Sequence, residues 1–399
     1  MASGFLDRSR AQRLMAEQGM DALVLAQPES IKYATGAFPG VASFWRRAGA
    51  AFVLVPADAG SPLVAIVGDL QAKAFQDQSG IADTRSHRIW VETDRYPKPD
   101  LVKPSMAPRP AQYSLAASLN LLRDVLGERR LLNARIGLEM GFVPAADFPA
   151  FTALPVEWAD CTRLVERLRA AKCATEIVHL RNGAEYAQAG LAHLTEEITP
   201  GMTAARMTEI WKAGANAEAE RRGHPPPQSA WAYIAVGGDG FAPGGPARNS
   251  DIIKIDVGCV IAGYSSDGGR TAVLGAANSD AVKIYDALHR AFDAGFALLK
   301  PGTPLKEIYF ATATAMWDQG FKTYGRGHFG HGVGASIWSE EWPFIAAESD
   351  AVLEPEMVLA FETPWYIDGL GGFIIEDQVL ITKSGCEVMA PSPRHMIPV

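Results

Sequence analysis

Apolar residues recur at helical spacing over residues 7–20, and the chain then runs into DALVLAQ, which reads as a buried strand. AAFVLVPA and SPLVAIVG continue as strands, separated by a turn around Asp58 to Gly60. ARIGLEM (residues 134–140) is a further strand, while residues 113–129 and 145–153 carry helical periodicity. This alternation predicts an α/β domain over residues 1–158. Within it, the stretch from Tyr96 to Gln112 holds five prolines and is expected to be a surface loop or a subunit-contact arm.

The character changes near residue 160. CTRLVERLRAAKCATEIVHLRNGAEYAQAGLAHLTEEI is charged and helix-periodic, and Pro200-Gly201 separates it from a second helix, PGMTAARMTEIWKAGANAEAERRG. Strands follow in AWAYIAVGG and DIIKIDVGCVIAGYSSDGGRTAVLG, then a long helix over 279–299, a helix carrying EIYFATATAMWDQG, and strands over the last 70 residues. Two helix–helix–strand–strand blocks predict two similar halves around one mixed sheet, spanning residues 159–399. The sequence carries no repeat that proves this symmetry.

Composition narrows the function classes. The 399 residues are 48% hydrophobic and 21% charged, ordinary for a soluble globular protein with a sizeable core. A net charge of −8 leaves no basic stripe for phosphate backbones, so nucleic acid is not an expected partner. Cys161, Cys173, Cys259 and Cys386 are widely spaced and read as reduced thiols. The charged N-terminus and the lack of a long apolar run predict neither a secretory signal nor a membrane span, and place the protein in the cytoplasm.

The chemistry is concentrated in the second domain. IDVGCVIAGYSSDGGRT sets Asp256 and Asp267 at the two ends of a hairpin. For an isolated DxG, turn capping is the commoner outcome. Here GHFGHGVG follows with His328 and His331, then Glu362 in MVLAFETP and Glu376 in GGFIIEDQVLIT. Both glutamates interrupt strongly apolar strands, where a buried carboxylate without compensation costs several kcal/mol. Asp256, Asp267, His331, Glu362 and Glu376 together offer four oxygen donors and one imidazole. This set suits two divalent ions such as Mn²⁺, Fe²⁺, Co²⁺ or Zn²⁺.

In these segments, KIDVGCVIAGYSSDGGRT, GHGVG, LEPEMVLAFETP and GGFIIEDQVLIT, the chain resembles the creatinase/aminopeptidase P/prolidase family of pita-bread metallopeptidases. The resemblance covers nearly the whole chain. It implies a creatinase-type N-terminal α/β domain followed by a C-terminal pita-bread catalytic domain. It further implies Asp256 as bidentate ligand to one ion, His331 and Glu362 on the other, and Asp267 and Glu376 bridging both. A small-molecule or dipeptide-like substrate and a homodimer are the expected partners, with Trp45 in a region that reaches the partner's active site in related dimers.

Three departures from the family set this chain apart. The histidine usual before the metal hairpin is replaced by FAPGGPARNSD, with Gly244 after Pro243. The loop after GHGVG reads ASIWSEEWP, two residues longer than usual, and puts Trp338 or Glu340 where the family keeps a second histidine. The arginine usual before the last ligand is Ile374. Aromatic residues gather around the same segments: Trp231, Tyr233, Trp338, Trp342, Trp365 and Tyr366, with His328, are candidates to line a substrate pocket. Glu340 and Glu362 are the candidate catalytic carboxylates, Glu340 as a general base raised by partial burial among tryptophans, with a Glu340 that points to solvent, as an inserted loop segment usually does, as the equal alternative. The reading is a two-metal hydrolase acting on a C–N bond of a small non-standard substrate. The alternative is a metal-dependent lyase, since the EWP and EDQVLIT runs also resemble dimethylsulfoniopropionate lyases of this fold. A non-catalytic binding protein is a third reading, disfavoured by five intact ligand positions.

Overall fold

The computed structural model describes residues 4–91, 108–336 and 340–399. Most of the proline-rich 96–112 stretch and Trp338 lie outside the described residues. The chain divides into two compact units, Met1–Arg169 and Ala170–Val399. This division falls later than the expected junction after residue 158. The physical reason is that the Thr162–Ala170 helix sends Leu164, Val165 and Leu168 into the core of the first unit.

Among the described residues the first unit holds a six-stranded sheet in the order Asp83–His87, Val64–Gly68, Phe52–Pro56, Ala22–Leu25, Arg135–Leu138, Glu157–Asp160. Its inner strands are uninterrupted apolar runs because both faces are covered. Leu23, Leu25, Val53, Val55, Ala65 and Val67 pack with Leu14, Ile31, Phe75 and Leu164 on one face. Ala22, Val24, Phe52, Leu54, Val64 and Ile66 pack with Leu119, Leu122 and Phe151 on the other. The two edge strands escaped the sequence reading because DTRSH and EWAD have no apolar pattern, and charge is how natural sheets blunt an edge.

A buried carboxylate ties this unit together. Glu139 is 2% exposed, and its Oε2 accepts from the backbone N–H of Ala26 at 2.7 Å and of Gln27 at 2.9 Å. It thereby closes the turn that leads from the Ala22–Leu25 strand into the Pro28–Thr35 helix. Glu139→Ala leaves both donors without their acceptor, so the first unit is expected to lose about 2–4 kcal/mol of stability. Urea denaturation, with hydrogen exchange at the Ala26 and Gln27 amides as the local readout, checks this. Unchanged protection at both amides would refute it.

In the second unit, the helices Ala174–Glu197 and Ala204–Arg221 pair with each other, as do Ser279–Phe296 and Leu305–Asp318. Each pair covers part of one sheet, which has eleven strands among the described residues. Its central path runs Ile252–Ile261, Gly268–Val273, Glu376–Ile381, Val358–Glu362, Gly330–Gly332, Glu341–Phe344. Ile253, Ile255, Val257 and Cys259 pack with Tyr186, Leu191, Met207 and Trp211 of the first pair. Leu359, Phe361, Val379 and Ile381 pack with Leu288, Phe292, Ile308 and Met316 of the second. The alternate positions, Lys254, Asp256, Ala360 and Glu362, face the other way. The four cysteines are free thiols, and no helix among the described residues is long and apolar enough to cross a membrane.

Candidate metal centre

Strand register assembles the centre. Asp256 opposes Gly269, Gly269 opposes Glu376, and Glu376 opposes Glu362. Directly opposed residues project from the same face, so one row across four strands presents three carboxylates side by side. His331 opposes Ala360, two positions from Glu362 and therefore on that face as well. Asp267 precedes the Gly268–Val273 strand by one residue, two positions before Gly269, and shares the face by the same parity. Gly269 in the middle of the row has to be small. A Cβ there would lie 3.0 Å from Glu376 Oε2 and 2.8 Å from Ile374 Cδ1.

Ligand atoms of Asp267, His331 and Glu376 lie within 4.8 Å of one another, all three residues being buried. His331 Nε2 stands 3.6 Å from Asp267 Oδ2. Its Nδ1 lies 3.0 Å from the Gly332 carbonyl, an acceptor, so Nδ1 carries the proton and Nε2 presents its lone pair to the carboxylates. The Asp267 backbone N–H donates to Gln378 Oε1 at 3.0 Å, and Gln378 Nε2 is anchored on the Leu180 carbonyl at 3.1 Å. Behind the row, Arg270 donates to the Glu376 carbonyl at 2.5 Å and to Asp377 at 2.6 Å, and Arg394 donates to Asp377 at 2.7 Å. Sequence reading passed over Gln378, Arg270 and Asp377.

The electrostatics of the row call for a cation. Burial, followed by the charges of Asp267, Asp256 and Glu362, pushes the Glu376 carboxyl well above the usual carboxylate range. Its Oε2 is buried without a hydrogen-bond partner among the described residues. Buried polar atoms are nearly always satisfied, so an oxygen left over among carboxylates is what a metal ligand looks like before its ion is counted. The donor set therefore fits a divalent ion at Asp267, His331 and Glu376.

The other two candidate ligands stand differently. Asp256 Oδ2 accepts from Lys254 Nζ at 3.1 Å, and Glu362 Oε1 accepts from Arg326 Nη2 at 3.0 Å. Burial is the largest influence on Asp256 and raises its carboxyl, with Lys254 opposing. His328 Nδ1 accepts from the Gly330 N–H at 3.3 Å and lies 3.6 Å from Glu362 Oε1. Burial, with His331 and Arg326 nearby, pushes its imidazole down to about 4, so it is neutral near pH 7.

The aromatic candidates separate. Tyr366 faces Lys254, and Trp231 stacks obliquely on Tyr233 at 5.4 Å while donating to Ser265 Oγ at 3.1 Å. Trp365 instead packs edge-on against Phe321 and Tyr324, in the core of the second unit, and Trp342 packs against that core too. Successive strand residues point to opposite faces, which is why Trp365 and Tyr366 part company. Trp45 stacks on Tyr113 at 5.6 Å within the first unit, leaving Phe44 as the exposed ring of that turn. Glu340 is exposed, the solvent-facing one of its two expected placements, whereas its neighbour Glu341 is buried with an oxygen 3.7 Å from Lys172 Nζ.

Comparison with known proteins agrees with this architecture. Residues 178–383 match metallopeptidase family M24, and residues 8–171 match the creatinase/prolidase N-terminal domain. The chain belongs to family M24. As in that family, a creatinase-type N-terminal domain precedes a pita-bread domain, the latter carrying the row just described. Among M24 relatives, the chain is 32% identical over 263 residues to a probable dipeptidase PepE from Mycobacterium tuberculosis, covering 64% of this chain and 67% of that one. It is 31% identical over 250 residues to an Xaa-Pro dipeptidase from Pyrococcus furiosus, covering 60% and 69%. The fold is similar to that of an Xaa-Pro dipeptidase from Bacillus anthracis, with a TM-score of 0.79, 23% identity, and coverage of 98% and 99%.

Proposed function

We propose that this protein is a metal-dependent hydrolase that cleaves a C–N bond in a small, dipeptide-like substrate. One observation carries the reading: Asp267, His331 and Glu376 converge within 4.8 Å in a buried setting. Glu376 Oε2 is left among them without a hydrogen-bond partner among the described residues. Asp267, His331 and Glu376 hold the ion, with Asp256 and Glu362 beside them in the row. Mn²⁺, Fe²⁺, Co²⁺ and Zn²⁺ all suit this donor set. When bound, such an ion polarises a carbonyl and lowers the pKa of a water. The chain's own contribution is orientation. Gly332 fixes the His331 tautomer, Gln378 aims Asp267, and the Gly330 N–H, donating to His328 Nδ1, leaves the proton of neutral His328 on Nε2.

Elemental analysis of dialysed protein, combined with product analysis on a panel of dipeptides and β-substituted zwitterions, tests the proposal. Bound divalent metal and two hydrolysis products are expected. Metal-free protein would overturn it. A single unsaturated product plus an expelled group would establish the lyase reading. That alternative is favoured by Gly244 and Ile374, two positions where the peptidases keep hydrogen-bonding side chains.

Glu340 is the candidate general base. Its charge acts on His328, which supports a place at the edge of the centre in spite of its exposure. Glu340→Gln keeps the shape and removes the base, so turnover is expected to fall about 10²-fold with metal content unchanged. Equal turnover in the variant would place Glu340 outside the chemistry. A cytoplasmic homodimer is the proposed state, with exposed Phe44 beside Trp45 as the contact. A monomer in light scattering with full activity would refute it.

A further inference from the structure

The row of ligands crosses a seam in the sheet. Asp256 lies in Ile252–Ile261 and Asp267 just before Gly268–Val273, whereas Glu376, Glu362 and His331 lie in Glu376–Ile381, Val358–Glu362 and Gly330–Gly332. On one side, Gly268–Val273 is paired with Ile252–Ile261 along its whole length. On the other, Val358–Glu362 is paired along its whole length with Glu376–Ile381. Between the two sides, Gly269 opposite Glu376 is the single ladder pair among the described residues. The five ligands converge only while that pair keeps its register, and a ladder this short contributes little by itself.

Side chains hold the rest of the seam. Thr271 Oγ1 donates to the Ile374 carbonyl at 3.0 Å and accepts from its N–H at 2.8 Å. Arg270, 2% exposed, leaves the strand on the face opposite to Gly269 and works from behind the row. Its Nη1 donates to the carbonyls of Gly269 at 2.8 Å and of Glu376 at 2.5 Å, the two members of the seam pair. Its Nη2 donates to Asp377 Oδ1 at 2.6 Å and to the Ser392 carbonyl at 3.3 Å, and its Nε to the Pro393 carbonyl at 2.9 Å. Those bonds occupy all five N–H donors of the guanidinium. The segment that meets Arg270 also carries Arg394, whose Nε donates to Asp377 Oδ2 at 2.7 Å. The Arg394 guanidinium lies 4.6 Å and 4.4 Å from the ring centres of Phe292 and Phe296, and its carbonyl accepts from the Tyr285 hydroxyl at 2.8 Å. Ile397 and Pro398 then pair with Ala272 and Val273. Asp377 thus takes one guanidinium on each oxygen, a charge-assisted link between the Glu376 strand, Arg270 and residues 392–398.

We propose that Arg394 is a positioning residue of the metal centre. From the 392–398 segment it fixes Asp377, and through Asp377 the Arg270 guanidinium, and so clasps the seam that sets Asp256 and Asp267 against Glu376, Glu362 and His331. Given the metal-centre reading above, on which this rests, a side chain on the far face of the sheet controls how tightly the ion is held. Groups that orient ligands without touching the ion act on affinity in this way.

Titration of the full-length protein with Mn²⁺ tests this, with free ion counted by electron paramagnetic resonance and melting curves of the metal-free protein recorded alongside. Arg394→Met keeps an apolar stem over the two rings and removes the charge. Its Mn²⁺ affinity is expected to fall about 10–100-fold, the scale on which lost outer partners act on a metal site. Arg394→Lys returns a cation to Asp377 and should recover most of that affinity. Thr271→Val removes another side-chain link across the seam, leaves Asp377 and its two guanidiniums in place, and should weaken Mn²⁺ in the same direction. A merely structural Arg394 would lower the melting temperature and leave the affinity of the folded protein unmoved, a result that overturns the proposal. Equal weakening in Arg394→Met and Arg394→Lys would overturn it too. If Arg394→Met does not fold, Thr271→Val decides, and native affinity in that variant sinks the clasp. Native protein that binds no Mn²⁺ and no other divalent ion would instead remove the metal-centre reading, and this proposal with it.

Discussion

Glu376→Ala is expected to empty the metal centre and to lower turnover by about 10³-fold or more, the scale on which loss of a ligand and of the ion's electrostatic stabilisation acts. Glu376 sits in the middle of the row, opposed by Glu362 on one side and by Gly269 on the other. Among the described residues, no other carboxylate joins Asp267 and the His331 imidazole in such a cluster. Removal of this charge has a second, opposite consequence. Without an ion, the Glu376 carboxyl is crowded by Asp267, Asp256 and Glu362. Glu376→Gln, which removes that repulsion and keeps the shape, should make the metal-stripped protein more stable to heat. The same change should cancel the stabilisation that added metal gives the native protein. Elemental analysis and paired melting curves with and without metal read both effects. Full metal content in Glu376→Ala would sink the ligand assignment, and a lower melting temperature for stripped Glu376→Gln would sink the electrostatic account.

On ordinary Xaa-Pro dipeptides, kcat/KM is expected to fall below the usual enzyme range of about 10⁴–10⁸ M⁻¹s⁻¹. Two positions carry the argument. Gly244 has a φ of +70°, and a Cβ there would lie 2.0 Å from the Val236 carbonyl oxygen, so a histidine side chain cannot be carried without moving the backbone. Ile374 is 1% exposed, with its side chain lying over Gly269 and its backbone N–H and C=O both bonded to Thr271 Oγ1. An apolar group therefore lies beside Glu376 where the peptidases keep a guanidinium. Loss of a single transition-state hydrogen-bond donor typically costs 10²–10³-fold, about 3–4 kcal/mol, and two such positions are altered here. Steady-state kinetics on a series of Xaa-Pro dipeptides with the metal-loaded protein checks this. A value inside the usual range would show that other groups do the work of the missing ones.

Much of this centre could be read from local pattern. The hairpin in IDVGCVIAGYSSDGGRT brought Asp256 and Asp267 together, and apolar runs broken by Glu362 and Glu376 marked carboxylates that burial alone would not tolerate. Period-2 and period-3.6 patterns report which face a residue takes, and that is a local property of the chain. For the same reason the inner strands of the first unit were legible while DTRSH and EWAD, at the sheet edges with no buried face to mark them, were not. Which strands become neighbours is different. The opposition of Gly269 to Glu376 is a matter of register between segments far apart in the chain, fixed only when both faces of the sheet are packed. The same packing sent Trp365 inward and left Glu340 exposed, and it set the side-chain cations of Lys254 and Arg326 on two of the carboxylates. The sequence by itself determined the fold, the family and the donors on the site face. The tertiary structure decided which donors converge and which are already neutralised, because charge pairing depends on distances that no linear pattern records.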